Sequence, residues 1–153
     1  VHESLPGRAA PSGDRESPPA PVLLYDGLCG VCDRTVRAIL ERDPDGAMRF
    51  APLQGEFAAR VLARHPSLRG IDSLVLVDRD GAGNERVRVR SDAAIAIALH
   101  LGGGWSAVRI LRLVPRVLRD AAYDRFARLR YRIFGRHATC PVPAPGVRER
   151  FLA

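Results

Sequence analysis

The feature that narrows the fold most is an apolar strand running straight into a cysteine pair. "PVLLYDG" (residues 21–27) is an apolar run closed by Asp26-Gly27, which reads as a buried strand and a turn. Cys29-x-x-Cys32 follows at once. Residues 30–42, "GVCDRTVRAILER", then set Cys32, Val36, Ile39 and Leu40 at helical spacing on one face, with Arg34, Arg37, Glu41 and Arg42 elsewhere. The two thiols therefore belong at the start of a helix that leaves a sheet.

The following segments alternate in the same way. "AMRFAPL" (47–53) reads as a second strand ended near Pro52, and "EFAARVLARH" (56–65) as a helix with Phe57, Val61 and Leu62 facing in. "SLVLVD" (73–78) is apolar enough for a sheet centre. "ERVRVR" (85–90) sets Val87 and Val89 against Arg86, Arg88 and Arg90, so the two strands read as a hairpin. Ser91-Asp92 offers N-cap oxygens to "AAIAIALHL", and Gly102-Gly103-Gly104 ends that helix. The order is β-α-β-α-β-β-α with the C-x-x-C opening the first helix. That is the layout of a thioredoxin-like α/β core, expected over residues 21–104. Such cores usually set a cis-proline before the third strand, facing the dithiol. "GIDS" (70–73) contains no proline, so this wall must be built differently.

Residues 1–20 are rich in Pro, Gly, Ser and charge and read as a disordered tail. Residues 105–136 read as a helical extension packed on the core. Val108, Leu111, Val114, Leu118, Ala122, Phe126, Leu129 and Ile133 step by three or four, and Pro115 should divide or kink the segment. Residues 137–153 form a Pro-rich tail that holds the third thiol, Cys140.

The charge is uneven. All 24 basic residues are arginine; residues 1–99 hold thirteen of them against fourteen acids, and residues 100–153 hold eleven against three. A solvated helix face is the simple account of this basic third, and weak association with an anionic surface the sharper one. The arginines lack the aromatic interleaving that stacks bases, so no nucleic-acid partner is expected. No apolar run reaches the roughly 18 residues of a membrane span, and no signal-peptide pattern opens the chain. Three cysteines are too few for a disulfide-stapled scaffold. A reducing, cytoplasmic setting follows, where a C-x-x-C serves catalysis or metal binding.

The helix start supplies the chemistry. Its first N–H groups lack intrahelical partners and its dipole is positive there, so a thiolate placed at that end is stabilised. Cys29, at or just before the first turn, can be solvent-accessible and suits the attacking nucleophile. Cys32, one turn in and aligned with the buried stripe, suits the resolving thiol. Asp26 has two open roles: proton acceptor for Cys32, or a turn-forming residue with Gly27. The partner is a protein or small-molecule disulfide or dithiol, and no cofactor is expected.

"YDGLCGVC" resembles the signature of the DCC family of thiol-disulfide oxidoreductases, whose one Asp and two Cys are matched by Asp26, Cys29 and Cys32. "FAPLQ" (50–54), "DSLVLVD" (72–78), "SDAAI" (91–95), "LGGGW" (101–105), "VPRVLRDAAYD" (114–124) and "RYRIFGRHATCPVP" (130–143) fit later blocks. The resemblance implies a thioredoxin-like fold and a dithiol activity without naming a substrate. Tyr131, Arg132, Phe134, Gly135 and Cys140 fall in its C-terminal block, to which no chemistry attaches from sequence.

Two rival readings stand beside it. Cys29, Cys32, His137 and Cys140 would make a Cys3His zinc set, though its halves lie more than a hundred residues apart. Alternatively the thiols merely pack, and the chain is a non-enzymatic interaction module with a basic helical face.

Overall fold

The computed structural model describes residues 20–43, 45–136 and 145–152. Strands β1 (Val22–Tyr25), β2 (Arg49–Pro52), β3 (Val75–Arg79) and β4 (Glu85–Val89) form one sheet in the order β2-β1-β3-β4. β1 pairs parallel with β2 and antiparallel with β3, and β3 pairs antiparallel with β4. The parallel step needs a crossover, which helix α1 (Gly30–Arg42) supplies. Helices α2 (Glu56–Arg64), α3 (Arg90–Leu101) and α4 (Arg116–Phe134) complete the described helical framework. The fold is mixed α/β and thioredoxin-like, with a C-terminal helical extension.

β1 is buried on both faces, and its alternation divides the core. Leu23 and Tyr25 pack with Cys32, Val36 and Ile39 of α1 and Ala93, Ala96 and Ile97 of α3. Val22 and Leu24 pack on the opposite face with Phe57, Ala58 and Val61 of α2. The C-terminal end of β1 thus opens directly onto the start of α1, which fixes where the cysteines lie.

Four sequence expectations need revision. Ser91 and Asp92 do not cap α3, which begins at Arg90 with Val89 as its N-cap and no side-chain cap bond. They hold α4 instead: the Ser91 hydroxyl donates to Asp120 and Asp92 pairs with Arg119 at 2.8 Å. Pro115 does divide the extension, but the part before it, Gly103–Leu113, is 3-10 helix. The apolar stripe expected to face the core faces outward, with Leu118, Phe126 and Ile133 exposed. The side of α4 turned inward carries Arg119, Tyr123 and Arg130, because polar groups await them there: Asp92, the Leu74 N–H, Asp72 and Asp26. The end of the chain is also less loop-like than its prolines imply. Arg150 donates to Asp43 and to the Met48 carbonyl at 3.0 Å, and Phe151 packs on Phe50.

α4 meets α1 at a glycine. A Cβ on Gly30 would lie 2.4 Å from the backbone oxygen of Phe134, closer than side-chain carbons ever come. Gly30→Ala should therefore cost about 1–3 kcal/mol and lift the end of α4. Urea denaturation reads the first effect. The rate at which Cys29 is alkylated in the folded protein reads the second, and it should rise.

Candidate functional site

Cys29 is the N-cap residue of α1, in extended conformation, and Cys32 sits one turn on. Both are free thiols and both are buried, Cys29 completely. The two thiols lie close enough for Cys29 to bear on the ionisation of Cys32. Burial, then the adjacent Cys29, pushes the Cys32 thiol up to about 12, so Cys32 is held protonated at neutral pH. The accessible Cys29 expected from sequence is not found. The segment after α4 covers it: the Gly30 N–H donates to the Gly135 carbonyl at 3.4 Å, and Cys29 pairs with Arg136 as an antiparallel bridge. Gly135 makes this passage with φ +76, a conformation that side-chain-bearing residues rarely adopt.

What holds this strap down is a buried polar cluster. Asp26 follows β1 and turns inward. One carboxylate oxygen accepts from the Leu28 N–H at 3.0 Å and the Gln54 amide at 3.3 Å. The other accepts from the Tyr131 hydroxyl and lies 3.7 Å from Arg130 Nη2. Arg130 is 2% exposed; its Nη2 also donates to Tyr131 at 2.8 Å and to Asp72 in the loop before β3. Burial alone would raise the Asp26 carboxyl. Tyr131, Leu28, Gln54 and Arg130 together outweigh it and hold the carboxyl below its ordinary range. Tyr131, desolvated and facing that carboxylate, is pushed up to about 12 and stays a donor. Arg34 of α1 stacks over Phe134, with its guanidinium 5.4 Å from the ring centre.

The wall before β3, which lacks a proline, is built from this cluster. The Leu74 N–H donates to the Tyr123 hydroxyl at 3.1 Å, and Asp72 receives Arg130. Beside it a cavity of about 340 Å³ opens against Cys32, lined by Val31, Ile97, Trp105, Tyr123, Phe126 and Arg130 among others. Cys29, Cys32 and Asp26 are therefore brought together. The other half of the zinc set, His137 and Cys140, lies outside the described residues. Among the described residues no three His, Cys, Asp or Glu side chains gather as a metal site.

Sequence reasoning missed Arg130, Tyr123, Asp72 and Gln54. All four fall in blocks that carry the family resemblance, which was the available signal, and Tyr123 and Arg130 also stand seven apart on the helix, on a face that apolar periodicity did not select.

Residues 23–136 match the family described as DCC1-like thiol-disulfide oxidoreductase. The chain belongs to that family. It is 38% identical over 139 residues to a protein of Bacillus subtilis called uncharacterized protein YuxK, covering 90% of this chain and 97% of that one. It is also 30% identical over 122 residues to a DCC family protein of Arabidopsis thaliana described as chloroplastic, covering 78% and 68% of the two chains. No solved structure matches the chain. The family implies redox chemistry with a thiol partner. Among the described residues no helix is long and apolar enough to cross a membrane.

The lowered Asp26 pKa fixes a sign. A carboxyl depressed in the folded state adds stability that is complete above its unfolded pKa and is lost as pH falls through the folded value. The melting-temperature gap between the protein and Asp26→Asn should be steady above about pH 5 and close progressively below about pH 4. Paired thermal melts across that range check it.

Proposed function

We propose that the protein performs thiol–disulfide exchange by cycling Cys29 and Cys32 between dithiol and disulfide. The observation that supports this most is two free thiols set one turn apart at the N-terminus of α1, one of them its N-cap. In this reading the Cys29 thiolate, set at the positive end of α1, attacks a substrate disulfide. A bond forms between Cys29 and one substrate sulfur, and the other leaves as a thiolate that takes up a proton. Once Cys29 is tied up in the mixed disulfide, its contribution to holding Cys32 protonated disappears. Cys32 then loses its proton, attacks the Cys29 sulfur and releases the second substrate thiol, leaving the Cys29–Cys32 disulfide.

Asp26, pinned by three hydrogen-bond donors and the Arg130 guanidinium and held ionised, is a weak base in this scheme and serves as a positioning residue. It ties the end of β1 to α4 over the cysteines. Because Cys29 is covered, exchange with a large substrate requires the Phe134–Arg136 strap to lift. This reading sets the protein in a reducing, cytoplasmic-type compartment, where the resting pair is a dithiol. The interaction-module alternative draws support from one observation, the outward apolar side of α4. The arginines expected to make a basic face there are partly consumed, Arg116 and Arg119 by Asp92.

A titration against glutathione redox buffers, with alkylation read by mass, tests the proposal. A reversible loss of two alkylatable thiols at Cys29 and Cys32 is expected. Cys29→Ser should abolish exchange and Cys32→Ser should accumulate mixed disulfide; normal turnover by Cys29→Ser would refute the role given to it.

A further inference from the structure

The arginine excess of the C-terminal third takes no part in the dithiol chemistry, and neither does the apolar surface beside it. The two meet in the 3-10 helix Gly103–Leu113. With three residues per turn, such a helix stacks every third side chain along one edge. Ala107, Ile110 and Leu113 make one edge, and Arg109 and Arg112 the next. Ile110 is exposed and Leu113 is 82% exposed. The exposure continues past Pro115 to Val117, at 78%, and Leu118 in the first turn of α4. Apolar side chains scattered singly over a surface need no partner, but a run of this kind marks an interaction site.

The charge beside the run narrows the partner. Residues 93–119 contain four arginines and no Asp or Glu. Among the described residues no carboxylate pairs with Arg109 or Arg112, whereas Arg116 and Arg119 share Asp92. Arg112 also joins Arg86 and Arg88 of β4 and Arg116 of α4 around a cavity of about 380 Å³. Asp78 pairs with Arg86 and Arg88, so these four guanidinium groups meet two carboxylates, Asp78 and Asp92. Burial, and then Arg86 and Arg112 as like charges, hold the Arg88 guanidinium below its usual value against the pull of Asp78. An incoming anion relieves that crowding.

A second copy of the chain is a poor occupant. A two-fold contact sets a patch against itself, so Arg109 and Arg112 would meet arginines with no acid in the stretch to receive them. A soluble anion would leave the aliphatic run uncovered. An anionic lipid surface meets both needs, with phosphate oxygens for the guanidinium forks and an acyl boundary for the aliphatic side chains. We propose that the protein seats on anionic phospholipid bilayers through this face, with Ile110, Leu113 and Val117 entering the acyl boundary and Arg109 and Arg112 meeting lipid phosphates. The contact is peripheral and weakens with salt. It stands apart from the dithiol reading, since neither cysteine nor the Asp26 cluster belongs to this face.

The test mixes the full chain with vesicles of phosphatidylcholine, alone or blended with phosphatidylglycerol. Co-sedimentation reads binding. Trp105, the only tryptophan, is half-exposed in the same helix, so its emission reports burial of this face. Binding and a blue shift are expected with the blended vesicles only, and both should fade at high salt. Leu113→Gln/Val117→Gln and Arg109→Gln/Arg112→Gln should each lower the partition coefficient about tenfold or more. All four side chains lie in solvent, so thermal melts of both variants should match the wild type. Absence of binding to blended vesicles would overturn the proposal. So would full binding by Leu113→Gln/Val117→Gln, which would leave charge attraction alone. Release by glycerol 1-phosphate at constant ionic strength would overturn it in favour of a soluble phosphate ligand. A dimer in sedimentation velocity that Leu113→Gln/Val117→Gln loses, without vesicle binding, would assign the face to a second copy instead.

Discussion

The site depends on a single buried ionic contact, the meeting of Asp26 with Tyr131 and Arg130. Asp26 ends the central strand, and the other two end the last long helix, more than a hundred residues later. With the Asp92–Arg119 and Leu74–Tyr123 contacts it sets α4 across the start of α1. Apolar packing does not do that work, since the apolar side of α4 is turned to solvent. A buried charge without partners is strongly disfavoured, and this cluster gives nearly every charge one. Its members satisfy one another only in one arrangement, so it fixes position as well as stability.

That arrangement has a chemical consequence. The same contacts that orient α4 bury both thiols, hold Cys32 protonated and leave a cavity on one side of it. A dithiol in such a place is shielded from casual partners. Two features flank the pair: the strap over Cys29, which passes through Gly135, and the cavity beside Cys32. The loop before β3 joins the same network through Asp72 and Leu74, so the wall opposite the dithiol is built from side chains of α4.

Much of the fold was legible in the chain. The strands, the helices and their order follow from periodicity and from turn residues such as Asp26-Gly27 and Gly102-Gly103-Gly104, because these are local properties. The cysteine pair at a helix start was equally local. The orientation of α4 was not. Its apolar residues step correctly for a buried stripe, yet Leu118, Phe126 and Ile133 lie outside while Arg130 lies inside. Periodicity ranks residues by their hydrophobicity and cannot register that a distant pair of aspartates makes an arginine the better occupant. Ser91 and Asp92 misled for a related reason: oxygens that suit a local cap were drawn to Asp120 and Arg119 across the fold.

By itself, then, the sequence determined an α/β core with a thiol pair set at the head of its first helix, and membership of a recognisable family. These depend on neighbours in the chain and on motif spacing. Only the tertiary structure decided that Cys29 is covered, that Asp26 is an anchor for α4, and that a cavity stands beside Cys32. Each of those rests on contacts between residues far apart in sequence, whose energies come from burial and mutual hydrogen bonding that no local pattern records.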